Sequence, residues 1–268
     1  MEPKPTLNRI TIYPVKSLDG ISLQKALIGN GGCLVHDREY AITDADGNFI
    51  IGKTNPLVHT LRSAFELDDE IIYLRHQNET SWKKFHFRND LLAIQLFLSD
   101  YFGIPIVLQK NMNGRFMDIP DKSGMTVLST ASLQSISKWF DKMHLDEARR
   151  RFRATIEIEG VPPFWEDRLF SKEGIGIEFK IGDVTLIGIS PRARCVVPTR
   201  NPDSGVVTHS FPKYFAKHRA ASLPNWSMLK EYGHHYHFTV NCYVPPSELG
   251  KWIHVGNEVH IVGEKKLK

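Results

Sequence analysis

The residue best suited to chemistry in this chain is Cys195, set in PRARCVVPTRNPDSG between two arginines and a Pro-Asp-Ser-Gly turn. A positive charge beside a thiol favours the thiolate, the form that acts as nucleophile or soft-metal ligand, and Arg192 and Arg194 supply that charge. Position alone does not choose between the two roles. A cysteine at a strand end is often just a small buried hydrophobe, but two arginines within three residues and an irregular loop after it argue for a site. Asp203 and His209 lie near enough in sequence to deliver protons. Turn capping for Asp203 and simple exposure for His209 are the plainer readings. In HHYH, His235 and His237 share one strand face with no carboxylate at a matching spacing, so a surface or structural role for His234, His235 and His237 outweighs a zinc site.

Other chemistries are disfavoured. Neither GxxxxGK[ST] nor GxGxxG after a strand is present, Gly29-Asn30-Gly31-Gly32 is too short for either, and GIGIE at 174–178 reads as a turn and bulge. No GxSxG marks a serine nucleophile. Asp44-Ala45-Asp46-Gly47-Asn48 resembles the start of a calcium loop but lacks the later glutamate, so it reads as a hairpin turn.

The chain's 268 residues hold one large or two small domains. A hydrophobic share of 41% and a charged share of 24% are those of a globular protein, without an apolar run long enough for a membrane span. MEPKPTLNRI lacks a secretory core, and cysteines 33, 195 and 242 are too few for a disulfide framework, so a cytoplasmic location is expected. Three thiols also fall short of the four that an iron–sulfur cluster takes, so electrons would come from another protein. The net charge of +4 lacks the basic stripe of a nucleic-acid binder. Arg149-Arg150-Arg151 reads as a solvated loop or helix end, with an anion pocket as the alternative.

Positioning elements follow from periodicity. LNRITIY, ALI, YAITD and FIIG read as strands, NDLLAIQLFLSDYFG as a helix stopped by Gly103, and STASLQSISKWFDKM as a helix capped at Ser129 or Thr130, with its N-terminus a seat for a phosphate. From Phe152 onward RFRATIEIEG, IGIEFKIGDVTLIGIS, HHYHFTVNCYV and NEVHIV read as strands, with a short helix over 212–219. No linker is evident; a boundary near 112–125 would be a compact joint.

Several ordered motifs then converge: IYPVKSLDG, HDREYAITDADGNFI and GKTNP, followed by LSTASL, RFRATIEIEG, FWED, IGDVTL and RCVVPTRNPDSG. Together, over nearly the whole length, the chain resembles MOSC-domain molybdenum-cofactor proteins that carry a MOSC N-terminal β-barrel domain, the family of amidoxime-reducing components and their bacterial relatives. The resemblance implies an α+β, mainly β fold, with a β-rich N-terminal domain over 1–113 packed against a MOSC β-barrel domain over 114–268. It implies a molybdenum–molybdopterin cofactor, with no need of pyridoxal phosphate, and Cys195 as the metal ligand and catalytic residue. Lys16, Ser17, Arg38 (with Asp37), Ser129, Thr130, Arg153, Thr155, Arg192 and Arg194 would hold the pterin and its phosphate. This chain departs from the usual pattern at Ala154 and Thr155, where proline and asparagine are common, and at Ala193 in place of serine. The implied reaction is two-electron reduction of small N-hydroxylated compounds, fed by an external ferredoxin-, flavodoxin- or cytochrome b5-like protein with its reductase. A cofactor carrier or sulfur-delivery protein using a Cys195 persulfide is the alternative, and a zinc-binding structural protein a third reading.

Overall fold

The computed structural model describes residues 4–113, 115–118 and 124–267. The boundary expected near 112–125 therefore lies partly outside the described residues.

The first strand, β1 (Thr6–Ile12), shows how local sequence sets up the site. Leu7, Ile10 and Ile12 are buried, although a spacing of three and then two cannot keep one face of a regular strand. A register shift between Leu7 and Arg9 absorbs the extra residue. Both apolar ends thus point into the core while Arg9 and Thr11 turn to the opposite side. β2 (Ile21–Leu23) and β3 (Lys25–Leu27) follow.

Strands β9 (Met125–Ser129), β10 (Ile156–Glu159), β11 (Ile175–Ile181), β12 (Val184–Ala193), β13 (His237–Tyr243) and β15 (Val259–Lys266) join the first two in one sheet, and β14 (Trp252–His254) pairs with β3. The sheet order is β15-β11-β12-β13-β9-β10-β1-β2. The start of β15 also returns to β1 through a Thr6–Glu258 bridge and a Leu7 N–H to Asn257 carbonyl bond of 2.8 Å, closing the sheet into a barrel. Its interior is filled by Ile10, Val127, Ile158, Phe179, Leu186 and Val240. Only β9 and β10 run parallel, which demands a crossover. Helices α2 (Thr130–Ser137) and α3 (Leu145–Phe152) provide it, and α4 (Phe211–Ala221) lays Phe211 and Phe215 against the same aromatic cluster as Phe152 of α3.

A second core belongs to residues 15–108. There β4 (Tyr40–Asp44) pairs with β8 (Ile106–Lys110), β5 (Leu61–Glu66), β6 (Ile71–His76) and β7 (Lys83–His86) form a three-stranded sheet, and α1 (Leu91–Phe102) buries Ile94, Leu98 and Phe102. Gly103, at φ 71°, ends α1 as expected. The Asp44–Asn48 turn is a hairpin closed by Asp44, whose carboxylate accepts from the Asp46 and Asn48 backbone N–H groups.

The molecule is mainly β with helices on the outside. Two local expectations change. FIIG makes one bridge, Thr43–Phe49, rather than a strand. RFRATIEIEG becomes a strand only at Ile156, because residues 145–152 are helical, with acidic Asp146 and Glu147 in the first turn and arginines in the last, matched to the helix dipole. Leu7, Ile10 and Ile12 of β1 pack in the barrel core with residues of the C-terminal half.

Candidate active site

Between the two cores lies a cavity of about 750 Å3, and Cys195 is in its wall. Cys195 follows the last residues of β12. Arg194 N–H donates to the Tyr236 carbonyl at 3.1 Å, and the Tyr236 hydroxyl donates to the Cys195 carbonyl at 3.2 Å. These bonds fix the backbone and leave the thiol partly exposed, whereas Cys33 and Cys242 are buried. Of the three thiols, only that of Cys195 can meet a ligand from solvent.

Among the described residues the wall is strongly cationic: ten arginines and two lysines face five carboxylates. The cations divide into two sets by what neutralises them. Arg153 donates to the Leu18 carbonyl at 2.7 Å, and Arg194, next to Cys195, to the Phe152 carbonyl at 2.9 Å. Neither has a carboxylate within ion-pair distance among the described residues. The Arg194 Nε is buried without a partner. Burial, and then the neighbouring Arg192 guanidinium, push Arg194 down to about 10, and burial lowers Arg153. Both are cations held short of counter-charge, the state an anionic ligand relieves.

Arg38 is oriented from behind. Its guanidinium donates to Asp37 at 2.6 Å, and the other Asp37 oxygen accepts the Tyr13 N–H at 2.8 Å. The guanidinium groups of Arg38 and Arg153 lie 4.9 and 4.0 Å from the centre of the Tyr13 ring, so one buried aromatic positions two cations. Lys16 donates to Asp118 at 2.7 Å and to the Phe116 carbonyl at 2.8 Å. Arg192 donates to the other Asp118 oxygen at 3.0 Å and to Asn241 at 3.1 Å. Burial works against the Asp118 charge, yet Lys16 and Arg192 hold its carboxyl well below the usual carboxylate range. The Asp118 carboxylate thus bridges these two cations. Ser17, Arg38 and Arg153 all adopt left-handed backbone conformations, with φ of 73°, 52° and 52°. Such conformations cost free energy in residues other than glycine and concentrate at functional sites.

At the other end the charges cancel. Arg149 makes two 2.8 Å bonds to Glu157, Arg150 pairs with Asp203 at 2.7 Å, and Arg62 pairs with Asp19 at 3.2 Å. The triple arginine is therefore both a helix end and part of the cavity wall, not a solvated run; Arg151 is buried, donating to the Pro198 carbonyl at 2.7 Å.

The residues expected at the site do not all reach it. Lys16, Ser17, Arg38, Arg153, Arg192, Arg194 and Cys195 line the cavity. Ser129, Thr130 and Thr155 do not. Ser129 is fully buried and caps α2, its hydroxyl accepting from Ser132 N–H and sharing a 2.7 Å bond with the Ser132 hydroxyl, which donates to Glu166. Burial, with Asp167 beside it, pushes Glu166 up to about 7, so the polar groups at this helix start are spent on an internal network. Thr130 donates to Glu157 and accepts from Asn8. The Thr155 hydroxyl is buried without a hydrogen-bond partner among the described residues. Asp203 is not a turn cap; that role belongs to Asn201, whose side-chain oxygen accepts from the Asp203 and Ser204 N–H groups. His209 is exposed and outside the wall. The His237 ring meets the His234 carbonyl at 2.8 Å, and no group of three or more His, Cys, Asp or Glu side chains is assembled for a metal among the described residues.

Sequence reasoning missed Tyr13, Arg62 and Asp118. Tyr13 reads as the end of an apolar strand, and Asp118 meets Lys16 and Arg192 only after the fold brings together residues about 75 to 100 apart in sequence, so no local pattern marks either.

Comparison with known proteins gives the same picture. The family model described as the MOSC N-terminal beta barrel domain matches residues 4–100, and that described as the MOSC domain matches residues 106–260. Mitochondrial amidoxime reducing component 2 of Bos taurus is 26% identical over 245 residues, covering 77% of this chain and 70% of that protein. Two ordered domain matches spanning nearly the whole chain, with Cys195 and its arginines around one cavity, make this chain a member of the MOSC-domain family with a MOSC N-terminal β-barrel domain.

Proposed function

We propose that the chain is a molybdenum-cofactor-dependent oxidoreductase that reduces small N-hydroxylated compounds. The observation that carries this reading is the partly exposed Cys195 thiol in the wall of a cavity in which Arg153 and Arg194 have no carboxylate partner among the described residues. The donor set fits the group. A thiolate suits a soft, redox-active metal, and the unneutralised guanidinium groups of Arg153 and Arg194, with Lys16, Ser17, Arg38 and Arg192, suit an anionic pterin phosphate. When bound, the cofactor supplies two-electron oxygen-abstraction chemistry at the metal. The chain's own residues do the rest. Cys195 contributes one sulfur donor on a backbone pinned by Tyr236. Arg153 and Arg194 neutralise the anionic end, and Tyr13 and Asp37 keep Arg38 and Arg153 aimed. Walls drawn from both cores limit bulk water around the reacting position.

With three cysteines, two of them buried, this chain has no cluster of its own to feed the site. Electrons come from a separate ferredoxin-, flavodoxin- or cytochrome b5-like protein with its reductase. The relative named above carries amidoxime reduction in its name, which supports the substrate class.

The test is direct. Protein purified from a host that makes the cofactor should carry about one molybdenum and one pterin per chain and reduce an amidoxime with a chemical electron donor. Lack of molybdenum in such material sinks the reading. Labile sulfur released from Cys195 in metal-free protein would point instead to a sulfur carrier.

A further inference from the structure

The loop between Arg200 and Val207, a bridged pair that closes its base, is a preformed unit. Asn201 N–H donates to the Val206 carbonyl at 2.8 Å and Gly205 N–H to the Asn201 carbonyl at 2.9 Å, while the Asn201 side chain gathers the Asp203 and Ser204 N–H groups. What is unusual is how this unit is tethered. Arg62, on β5 in the N-terminal core, and Arg150, on α3 in the C-terminal half, converge on it. Each donates to the Pro202 carbonyl at 3.1 Å, and the Asp203 carboxylate pairs with Arg150 at 2.7 Å and with Arg62 at 3.5 Å. Gly205, at φ +69°, lies where an added Cβ would meet the Pro56 carbonyl at 2.9 Å, so the loop can rest on the 56–60 turn only because that position has no side chain. Pro202 and Asp203 line the cavity, yet the Asp203 side chain remains 57% exposed.

From this geometry we propose that Asp203 is a positioning residue that clasps the 200–207 loop across the cavity between the two halves and limits the size of molecule that reaches Cys195. The consequence for substrate choice rests on Cys195 marking the reacting position; the clasp itself does not. Asp203 keeps the Arg62 and Arg150 guanidinium groups turned toward the Pro202 carbonyl, so weakening its water-accessible ion pairs loosens both kinds of tether together. Salt and neutralisation of Asp203 therefore have the same effect.

The experiment is thiol labelling of the full-length chain made in a host lacking molybdopterin, with iodoacetamide as the small reagent and a dye-bearing maleimide as the bulky one. Only Cys195 is open to solvent, so one label per chain reports access to it. Asp203→Asn should raise the bulky-to-small rate ratio about five-fold, the scale set by half-exposed ion pairs. Asp203→Glu should stay near wild type. Wild-type protein in 1 M NaCl should approach the Asp203→Asn ratio, and that salt response decides the matter if Asp203→Asn labels three thiols because it has unfolded. An unchanged ratio in folded Asp203→Asn, or no salt response in the wild type, overturns the proposal. Because the assay needs neither metal nor turnover, failure of the proposed function leaves its outcome readable.

Discussion

The two ends of the cavity are made of the same residue type and behave differently. At the outer end Arg149, Arg150 and Arg62 each have a carboxylate partner, and the wall holds itself together. Arg153 and Arg194 are anchored through carbonyl oxygens and the faces of Tyr13 and Phe152, with no carboxylate partner among the described residues, and the charge is left over. An arginine that the protein neutralises is part of its framework; one that it orients but does not neutralise is reserved for something that arrives from outside. The comparison also explains why counting arginines in the sequence could not find the site: Arg149–Arg151 and Arg153 are nearly contiguous, and only their partners tell them apart.

Substitutions can break this contrast. The largest effect is expected from Cys195→Ser, which should lower molybdenum retention and reduction of N-hydroxylated compounds by more than about a hundredfold, beyond the loss seen for groups that merely support a ligand, with unchanged thermal unfolding of the metal-free protein. Arg153→Leu and Arg194→Leu come next. Each should weaken pterin retention about ten- to a hundredfold, the worth of a charge-assisted hydrogen bond, while the melting temperature of the metal-free protein stays level or rises, because an uncompensated cation is gone. At the outer end the sign should reverse. Glu157→Gln should leave cofactor content alone but cost about 2 kcal/mol, roughly 5 °C in melting temperature, by leaving Arg149 short of counter-charge. Equal loss of stability at both ends would erase the distinction. The smallest effect belongs to Thr155→Val, expected to raise stability by up to about 1 kcal/mol and leave cofactor content unchanged, since its buried hydroxyl has no partner to lose. A loss of pterin in that variant would put Thr155 back at the site.

Much of this was legible in the sequence where chemistry and local geometry coincide. Cys195 and its flanking arginines, marked by their chemistry, and Lys16, Ser17 and Arg38, implied only by the family resemblance, all line the cavity, and strand periodicity with turn residues located most of the barrel. The failures share a cause. Ser129 was read correctly as a helix cap, but whether a cap faces a ligand or a buried Glu166 depends on what packs above it, and Glu166 is distant in sequence. The helix at 145–152 was hidden by the β-rich residues after it, although its acidic start and basic end carried the signal. Asp118 and Tyr13 owe their roles wholly to tertiary contacts.

The barrel closes where residue 6 meets residue 258. β1 has β2 and β10 on its two edges, but its first residues must wait for nearly the whole polypeptide before they meet residues 257 and 258, so closure is an encounter of very high sequence separation and slow by nature. The cationic cavity borrows Arg9, Thr11 and Tyr13 from that strand and the segment after it and takes its last wall residue from Asn241 of β13, so its wall is gathered from almost the whole length of the chain and cannot exist in a half-made one.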